Sequence, residues 1–542
     1  MTNMEDLYHR LSLLRPIINE ICEIGGIPGA SIGVAHQGRT VFSHNIGHRD
    51  IESSIPPDSN TLYGIASLTK SITASAICIL VNDGKLDWTT PIVSILPELN
   101  TVDKYLTSEL VITDLLTHQL GLESSNEWWF GSNGTLLMKK SQAITSFNAL
   151  KKVGPFRLGT GYSNWNFVLA GEIIERLSGM SYGEFVEARI FQPLQMDRTT
   201  TTKNFQSADI ENFARPYGAL DDKPMVLLAP PPVLDGTIMV AAQGVQSSLN
   251  DMLKFTSALL AGCKEGDDKD SPLKLTSRQL AGHVFCEKQL IGKSYALGLM
   301  RALLPNSIGG GHEMYGNVPT IKSGGSTRIV VYHGGSQAGY TSFMSMLPEA
   351  DLSVVVLTNS IGFGGPSGWI HELLLETLVD SPDKTNFIKL AKEARANYLR
   401  KIPRMLESIE QSREGTPSRP LNEFVGCYSN RSHEFVVVIR QGNDEALQVV
   451  FQGLESQAWD LRHHHHDTFT CLPSLNDIIK NAFFPYMGEN AYTITFEVED
   501  GNEVKRLLWP HKARLAPEDQ YFDKMQNAGV LEGRGKQYLK EF

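Results

Sequence analysis

The 542-residue chain contains no run of 18 or more apolar residues, the length a helix needs to cross a bilayer, so no membrane span is expected. Its first ten residues, Met1-Thr-Asn-Met-Glu-Asp-Leu-Tyr-His-Arg, lack the basic start and apolar core of a secretory signal. Cysteine is scarce: Cys22, Cys78, Cys263, Cys286, Cys427 and Cys471 are scattered, with no C-x-x-C spacing. That pattern fits reduced thiols in a cytoplasmic protein. Without a secretion route, the sequons Asn133-Gly-Thr and Asn430-Arg-Ser read as chance. Positive charge is also in deficit. With 49 Lys and Arg against 60 Asp and Glu, the net charge of −11 argues against nucleic acid as a partner, because phosphate contacts need clustered cations.

What is present is an ordinary globular composition, 41% hydrophobic and 20% charged, long enough for a large catalytic domain and a smaller one. Ala30 to His36 and Thr40 to Gly47 read as strands joined by a hairpin at Gln37-Gly38. Ile72 to Val81 forms an apolar helix that stops near Asn82-Asp83-Gly84. A helix apolar on all sides belongs in the middle of a domain. Asn166 to Leu177 reads as a second helix, closed by Ser178-Gly179, and Ser248 as the start of a third. Strand-like runs follow at Arg328 to Tyr332, Tyr340 to Met346 and Leu352 to Thr358, then a helix at Ile370 to Val379. Strands at both ends with helices between them indicate an α+β domain.

Residues 384 to 414 are charged and helical in pattern, and Glu414-Gly-Thr-Pro-Ser-Arg-Pro420 reads as a linker. Beyond it, short β runs recur at Phe435 to Arg440, Ala446 to Phe451, Thr468 to Leu472, Tyr492 to Val498 and Val504 to Trp509. Turns are expected at Gln441 to Asp444 and at Asp500-Gly501. This is the pattern of a small all-β barrel or sandwich. The expected domains are 1–385, catalytic; 386–420, a helical linker; and 421–542, the β domain.

Three segments carry chemistry. Ser67 and Lys70 are spaced by one helical turn, which puts an amine beside a hydroxyl that needs a base to become nucleophilic. Tyr162 and Asn164 precede the second helix. His333-Gly334-Gly335-Ser336 follows the Arg328 strand. In order, S-x-x-K, Y-x-N and H-x-G resemble the three motifs of the serine β-lactamase-like superfamily, although the second and third differ from the S-D-N and K-T-G of β-lactamases and penicillin-binding proteins. Ile27-Pro-Gly-Ala, Leu80 to Asp87, Asp114 to Leu122, Pro193-Leu-Gln-Met, Ser248 to Phe255 and Pro348 to Asn359 are similar to further landmarks of that family. Together the resemblance covers about residues 20 to 380. Residues 420 to 542 resemble the lipocalin-like barrel carried by some of its esterases, D-aminopeptidases and acyltransferases.

The resemblance implies a penicillin-binding-protein-like fold, an antiparallel sheet with a helical subdomain. It also implies a reaction through an acyl-Ser67 intermediate, with Lys70 and Tyr162 moving protons. Asn164 would hold Lys70 and orient substrate. The backbone N–H groups of Ser67 and Ser336 would hold the oxyanion, and Gly334 and Gly335 would leave the strand edge open to substrate. His333 stands where the family usually has lysine. A histidine is mostly neutral at pH 7, which disfavours penicillin-type substrates and fits esters or amides without an obligatory carboxylate.

No metal and no organic cofactor is implied. The substrate would be a small-molecule ester, amide or short peptide; a homo-oligomer is left open. Hydrolysis is the leading reading, with acyl transfer to an alcohol or amine, and non-catalytic assembly, as alternatives. His118 reads as structural. His463 to His466 reads as an exposed β-edge or loop run, since at most two histidines of a strand share a face. Trp128-Trp129-Phe130 reads as core or as an apolar acyl-binding wall in a loop over the cleft. Gly309 to Gly325 reads as a flexible insertion, a lid or a disordered loop.

Overall fold

The protein is described by a computed structural model that covers residues 4–203, 211–221, 224–265, 271–286, 292–325, 328–442, 446–482, 489–499, 503–511, 515–516, 518 and 520–526. The turns expected at 443–444 and 500–501, and the chain beyond 526, lie outside these residues. The chain divides into two compact units. The first comprises 1–97, 104–121 and 155–399; the second comprises 98–103, 122–154 and 400–542.

The first unit is built on an eight-stranded antiparallel sheet. Its strands are β1 (Gly29–His36), β2 (Arg39–Gly47), β3 (Val284–Phe285), β4 (Ser294–Tyr295), β5 (Met300–Leu303), β6 (Ile329–Gln337), β7 (Tyr340–Leu347) and β8 (Leu352–Thr358), in the order β2-β1-β8-β7-β6-β5-β4-β3. Both ends of the segment therefore meet in one sheet, since β1 pairs antiparallel with β8, Gly33 opposite Val355. β6 runs five residues further than the sequence pattern ends, so His333 to Ser336 lie within a strand and pair with Met344 to Thr341.

Strand alternation decides which face each residue serves. Phe343 and Ser345 face one side of the sheet, where His371 stacks on Phe343 with ring centroids 4.0 Å apart and its Nε2 hydrogen-bonds Ser345 Oγ over 2.7 Å. His371 belongs to a buried helix, Pro366–Leu378. Ser342 and Ser353 face the opposite side. Thr256 of the helix Leu249–Glu265 bonds Ser353 there, 2.9 Å. Ser342 Oγ donates on that same side to the Ile65 carbonyl, 2.8 Å. The sheet is thus covered on both faces, and His333 and Gly335, in register with Met344 and Ser342, point to the Ile65 side.

On that side lies helix α1 (Thr69–Asn82), from whose start to Leu80 every side chain is buried. Its apolar residues need no explanation beyond burial. Its hydroxyls are satisfied by turning back on the helix or across to neighbours: Ser71 to the Leu68 carbonyl, 2.7 Å; Thr73 to the Ala241 carbonyl, 2.7 Å; Ser75 to Gln279 Oε1, 2.9 Å. The helix ends where Asn82-Asp83-Gly84 was expected to end it. Two further elements flank it, α2 (Ile112–Leu116) and α3 (Asn164–Ser178). α3 stops at Gly179, whose left-handed φ of 71° caps it.

The Gly309 to Gly325 segment is not a loose insertion. His312 is 2% exposed, lies 3.1 Å from Glu372 through Nε2, and meets the Trp369 ring edge-on, while Asn306–Ser307 pairs with Thr320–Ile321.

The second unit contains a closed eight-stranded barrel, β9 (Gly426–Ser429), β10 (Val436–Gln441), β11 (Leu447–Phe451), β12 (Ala458–His465), β13 (Thr468–Thr470), β14 (Thr493–Glu499), β15 (Glu503–Leu508) and β16 (Tyr521–Lys524), with β16 pairing back to β9. The expected barrel is present, with three strands more than the pattern suggested. The segment 122–154 packs with it. Gln457, fully buried, brackets the Ser132 backbone, accepting from its N–H at 2.7 Å and donating to its carbonyl at 3.1 Å. Gln452 donates to the Leu137 carbonyl, 2.9 Å, and Lys151 sits 4.8 Å from the centre of the Tyr521 ring. Trp128 and Trp129 are buried and Phe130 is half-buried.

The histidine run is also corrected. His463 to His465 are in a strand, but His464 is 5% exposed and its Nε2–H donates to the Ile409 carbonyl, 2.8 Å, near the end of the helix Phe387–Gln411. A buried donor on a terminal helix carbonyl is a cap. Among the described residues no group of three or more His, Cys, Asp or Glu is placed to hold a metal ion, and no helix is long and apolar enough to cross a membrane.

Candidate active site

All the residues singled out by the three motifs fall in the first unit. Ser67 does not open α1 itself. It sits in the 3₁₀ turn Ala66–Leu68 that leads into α1, immediately after Ala66, whose φ of 48° turns the chain sharply. The turn and the first helical residues still carry Lys70 onto the same side. Lys70 Nζ lies 3.0 Å from Ser67 Oγ, 2.7 Å from Asn164 Oδ1 and 3.0 Å from the Ala242 carbonyl. The side chain is fully buried. Burial alone drives its amine well below the usual lysine range. Asn164 is the first residue of α3 and spends its carbonyl on Lys70 rather than on capping the helix.

Tyr162 O–H donates to the same Ser67 Oγ over 2.8 Å. One edge of its ring is open, the residue being 44% exposed, while the hydroxyl end lies inside. Burial of that end raises the phenol above its ordinary value. Lys70 Nζ sits 5.0 Å from the centroid of the Tyr162 ring, over its face, and Tyr162 meets Ser67 as a neutral donor.

The glycines of the third motif make room for the protein's own backbone. A Cβ at Gly335 would stand 2.6 Å from the Ile65 carbonyl and 3.2 Å from Ser67 N. A Cβ at Gly334 would stand 2.6 Å from the Gly310 carbonyl. The space is taken by the protein's own backbone, so Gly335 lets the Ser67 turn lean directly on β6. On its other edge β6 pairs with β5 only as far as Tyr332 opposite Met300. Ser336 lies exposed just past that point.

His333 is 5% exposed. Burial, with a smaller contribution from the neighbouring Lys70 amine, brings its imidazole down to about 4. Its Nδ1 is next to the Gly334 carbonyl, 2.6 Å, and its Nε2 is 3.1 Å from the Tyr295 hydroxyl. Tyr295 in turn reaches His118 Nε2, 3.1 Å. His118, fully buried, packs against the Tyr162 ring with centroids 4.6 Å apart and the planes tilted by 44°, and receives the Ser163 N–H on Nδ1, 3.2 Å. His118 is therefore the floor under Tyr162 and the start of α3.

Two participants escaped the sequence reading. Tyr295 lies 38 residues before His333 and 177 after His118, too far for any spacing rule. The Ala242 contribution is a main-chain carbonyl, which no side-chain motif reveals. Gly298 follows the same logic: at φ 70°, a Cβ there would stand 2.5 Å from the Lys70 carbonyl. The only local signal was a tyrosine three residues before a glycine.

A buried amine with no acidic partner among the described residues, a hydroxyl at hydrogen-bond distance from it, and a neutral phenol on the same oxygen can together move a proton off serine and onto a leaving group. Comparison with known proteins agrees in kind. Unguisins hydrolase ungD' of Aspergillus campestris is 22% identical over 448 residues, 78% of this chain and 76% of that protein. The mitochondrial serine beta-lactamase-like protein LACTB of Homo sapiens is 25% identical over 421 residues, 64% of this chain and 73% of that protein. The octameric penicillin-binding protein homologue of Pyrococcus abyssi has the same fold, with a TM-score of 0.57 at 23% identity over 93% of this chain and 99% of that one. Residues 410–528 match DUF3471, a domain of unknown function. The pattern of the β-lactamase family matches residues 14–374, and the chain belongs to that family of serine β-lactamase and penicillin-binding-protein-like hydrolases.

Proposed function

We propose that this protein is a serine hydrolase that cleaves an ester, amide or short peptide through an acyl-Ser67 intermediate. One observation carries the reading. With the Lys70 amine neutral, its two N–H bonds go to Asn164 and to the Ala242 carbonyl, at 2.7 and 3.0 Å. Its lone pair then faces the Ser67 hydroxyl at 3.0 Å, and Tyr162 supplies the second hydrogen bond to that oxygen. Every donor has one acceptor in this arrangement, and the lone pair has the proton it must take.

In acylation, Lys70 receives the Ser67 proton as Oγ bonds to the carbonyl carbon. The N–H groups of Ser67 and Ser336 meet the oxyanion. Tyr162 gives its proton to the departing alkoxide or amine and is restored from the Lys70 ammonium. Water then replays the sequence on the acyl ester and releases the acid. No metal or organic cofactor takes part in these steps.

A neutral His333 offers no fixed cation, which favours an acyl group without a carboxylate at that position. The relative named for hydrolysing unguisins favours water as acceptor over transfer to an alcohol or amine. The octameric homologue keeps a homo-oligomer within this proposal. The reading is tested by p-nitrophenyl acyl esters with and without a panel of alcohols and amines. Turnover to the free acid, unchanged by acceptors and lost in Ser67→Ala, is expected. Product that follows the acceptor would replace hydrolysis by transfer, and no turnover or labelling by a fluorophosphonate would remove the enzymatic reading.

A further inference from the structure

Three aromatic groups behind the nucleophile form one chain of hydrogen bonds with a defined direction. His118 Nδ1 faces two donors, the Ser163 N–H at 3.2 Å and the Asn166 side-chain amide at 3.2 Å. It must therefore be the bare nitrogen, and the ring proton sits on Nε2. That Nε2–H donates to the Tyr295 hydroxyl oxygen, 3.1 Å. At the far end, His333 Nδ1 is 2.6 Å from the Gly334 carbonyl. A carbonyl only accepts, so the ring proton of His333 is on Nδ1 and its Nε2 is bare. The Tyr295 O–H donates to that Nε2, 3.1 Å. One hydroxyl thus accepts from one histidine and donates to the other, and opposite tautomers are fixed on the two rings.

We propose that Tyr295 is a positioning residue, whose hydroxyl locks His118 and His333 in complementary neutral tautomers and so keeps a cation away from the Lys70 amine. The inference rests on the proposed role of Lys70 as base. The chain has no place for another proton. A protonated His333 would point Nε2–H at the Tyr295 oxygen, and the tyrosine proton would lose its acceptor. A protonated His118 would point Nδ1–H at two donors.

The titratable groups facing these rings are few. Lys70 of α1 acts on both, and each histidine is within reach of Tyr162 and Tyr295, with ring centroids at 4.6 and 4.9 Å for His118 and at 6.0 and 6.4 Å for His333. Cys286 lies within electrostatic reach of Tyr295, and His333 acts on His118. None of these is an acid that would stabilise an imidazolium. Burial and the nearby Lys70 hold His118 well below the usual histidine range, in the same direction as His333. His118 also carries the N–H of Ser163 and touches the Tyr162 ring, so its tautomer bears on both halves of the second motif.

Two readouts on the full chain separate this role from plain packing and from the hydrolase reading itself. The first needs no reaction: imidazole nitrogen NMR of ¹⁵N-histidine protein across pH 5 to 8. In wild type, His118 is expected as the Nε2–H tautomer and His333 as the Nδ1–H tautomer, neither titrating in that range. In Tyr295→Phe at least one of the two is expected to titrate or to change tautomer. The reverse tautomers in wild type, or both rings unaffected by Tyr295→Phe, would overturn the proposal.

The second is the rate of fluorophosphonate labelling at pH 5.5 and 8.5. A ring released to an ordinary value near 6.5 is about 90% protonated at pH 5.5. The ratio of the two rates is therefore expected to fall about tenfold further in Tyr295→Phe than in wild type. A loss equal at both pH values would mark a purely structural residue and overturn the proposal. Absence of labelling in wild type would overturn the hydrolase reading, while the NMR result would still decide the tautomers.

Discussion

Adding one methyl group at Gly335 tests how closely the nucleophile depends on strand β6. The methyl of Gly335→Ala would lie 2.6 Å from the Ile65 carbonyl, where ordinary contact begins at 3.4 Å, and would also press on Ser342 Oγ. The Ser342 hydroxyl can rotate aside. The Ile65 carbonyl cannot, because it is main chain and holds Ser342 by a 2.8 Å hydrogen bond. Relief of the overlap moves the Ser67 turn away from the strand by about 0.8 Å, taking the difference of those two contacts. A displacement of about 1 Å at a reacting group costs roughly 100-fold in rate. Overpacking of this size costs about 1–3 kcal/mol of stability, which a domain of this extent survives. The assay is the second-order rate of Ser67 labelling by an activated ester, with circular dichroism to show the fold retained. A folded Gly335→Ala that labels within about threefold of wild type would refute the idea that the close approach of Ser67 to Gly335 sets the nucleophile.

Other substitutions and conditions follow from the same geometry. Lys70→Ala removes the amine that faces Ser67 Oγ at 3.0 Å and is expected to slow labelling about 10²–10⁴-fold; near-normal rates would remove Lys70 as the base. Acid should destabilise the fold before carboxylates titrate. His333 is neutral in the fold down to about 4, whereas in the unfolded chain it takes a proton near 6.5, so the unfolded state binds more protons between those values. Stability is then full above about pH 6.5 and falls by about 3 kcal/mol as pH drops to 4 from this group alone. His371, brought down to about 3, adds in the same direction. Urea midpoints constant from pH 7 to 4.5 would contradict it. Gln457→Ala leaves the buried Ser132 N–H without its partner, while the Ser132 carbonyl keeps the Thr135 N–H at 3.1 Å. At about 1–3 kcal/mol for the one stranded group, amide exchange around 130–137 should speed up about 5- to 150-fold; unchanged exchange would mean that Gln457 does not hold this segment to the barrel.

The elements that carry the motifs were legible because each has a local pattern. The apolar run after Ser67 reads as a buried helix, 340–346 and 352–358 as strand-like runs, and Gln37-Gly38 as a hairpin. The family resemblance placed Tyr162, Asn164 and His333 beside Ser67 and Lys70. What was not legible depends on chain segments distant in sequence. Tyr295 joins two histidines from a two-residue strand too short to show periodicity. The role of Gly335 appears only when the Ile65 carbonyl is seen against it. The barrel strands Gly426–Ser429 and Tyr521–Lys524 are four residues each, below the length at which alternation is readable. His464 looked exposed because its neighbours are polar, and it is buried because it caps a helix carbonyl from 55 residues away.

The central claim is that Ser67 becomes acylated with Lys70 as its base. It is tested most directly by acid-quenching wild-type protein during turnover of an activated ester and mapping the adduct by peptide mass spectrometry. One acyl group per chain, on Ser67, absent in Ser67→Ala and strongly delayed in Lys70→Ala, is the predicted result. An adduct on another residue, or turnover that persists in Ser67→Ala, would contradict it.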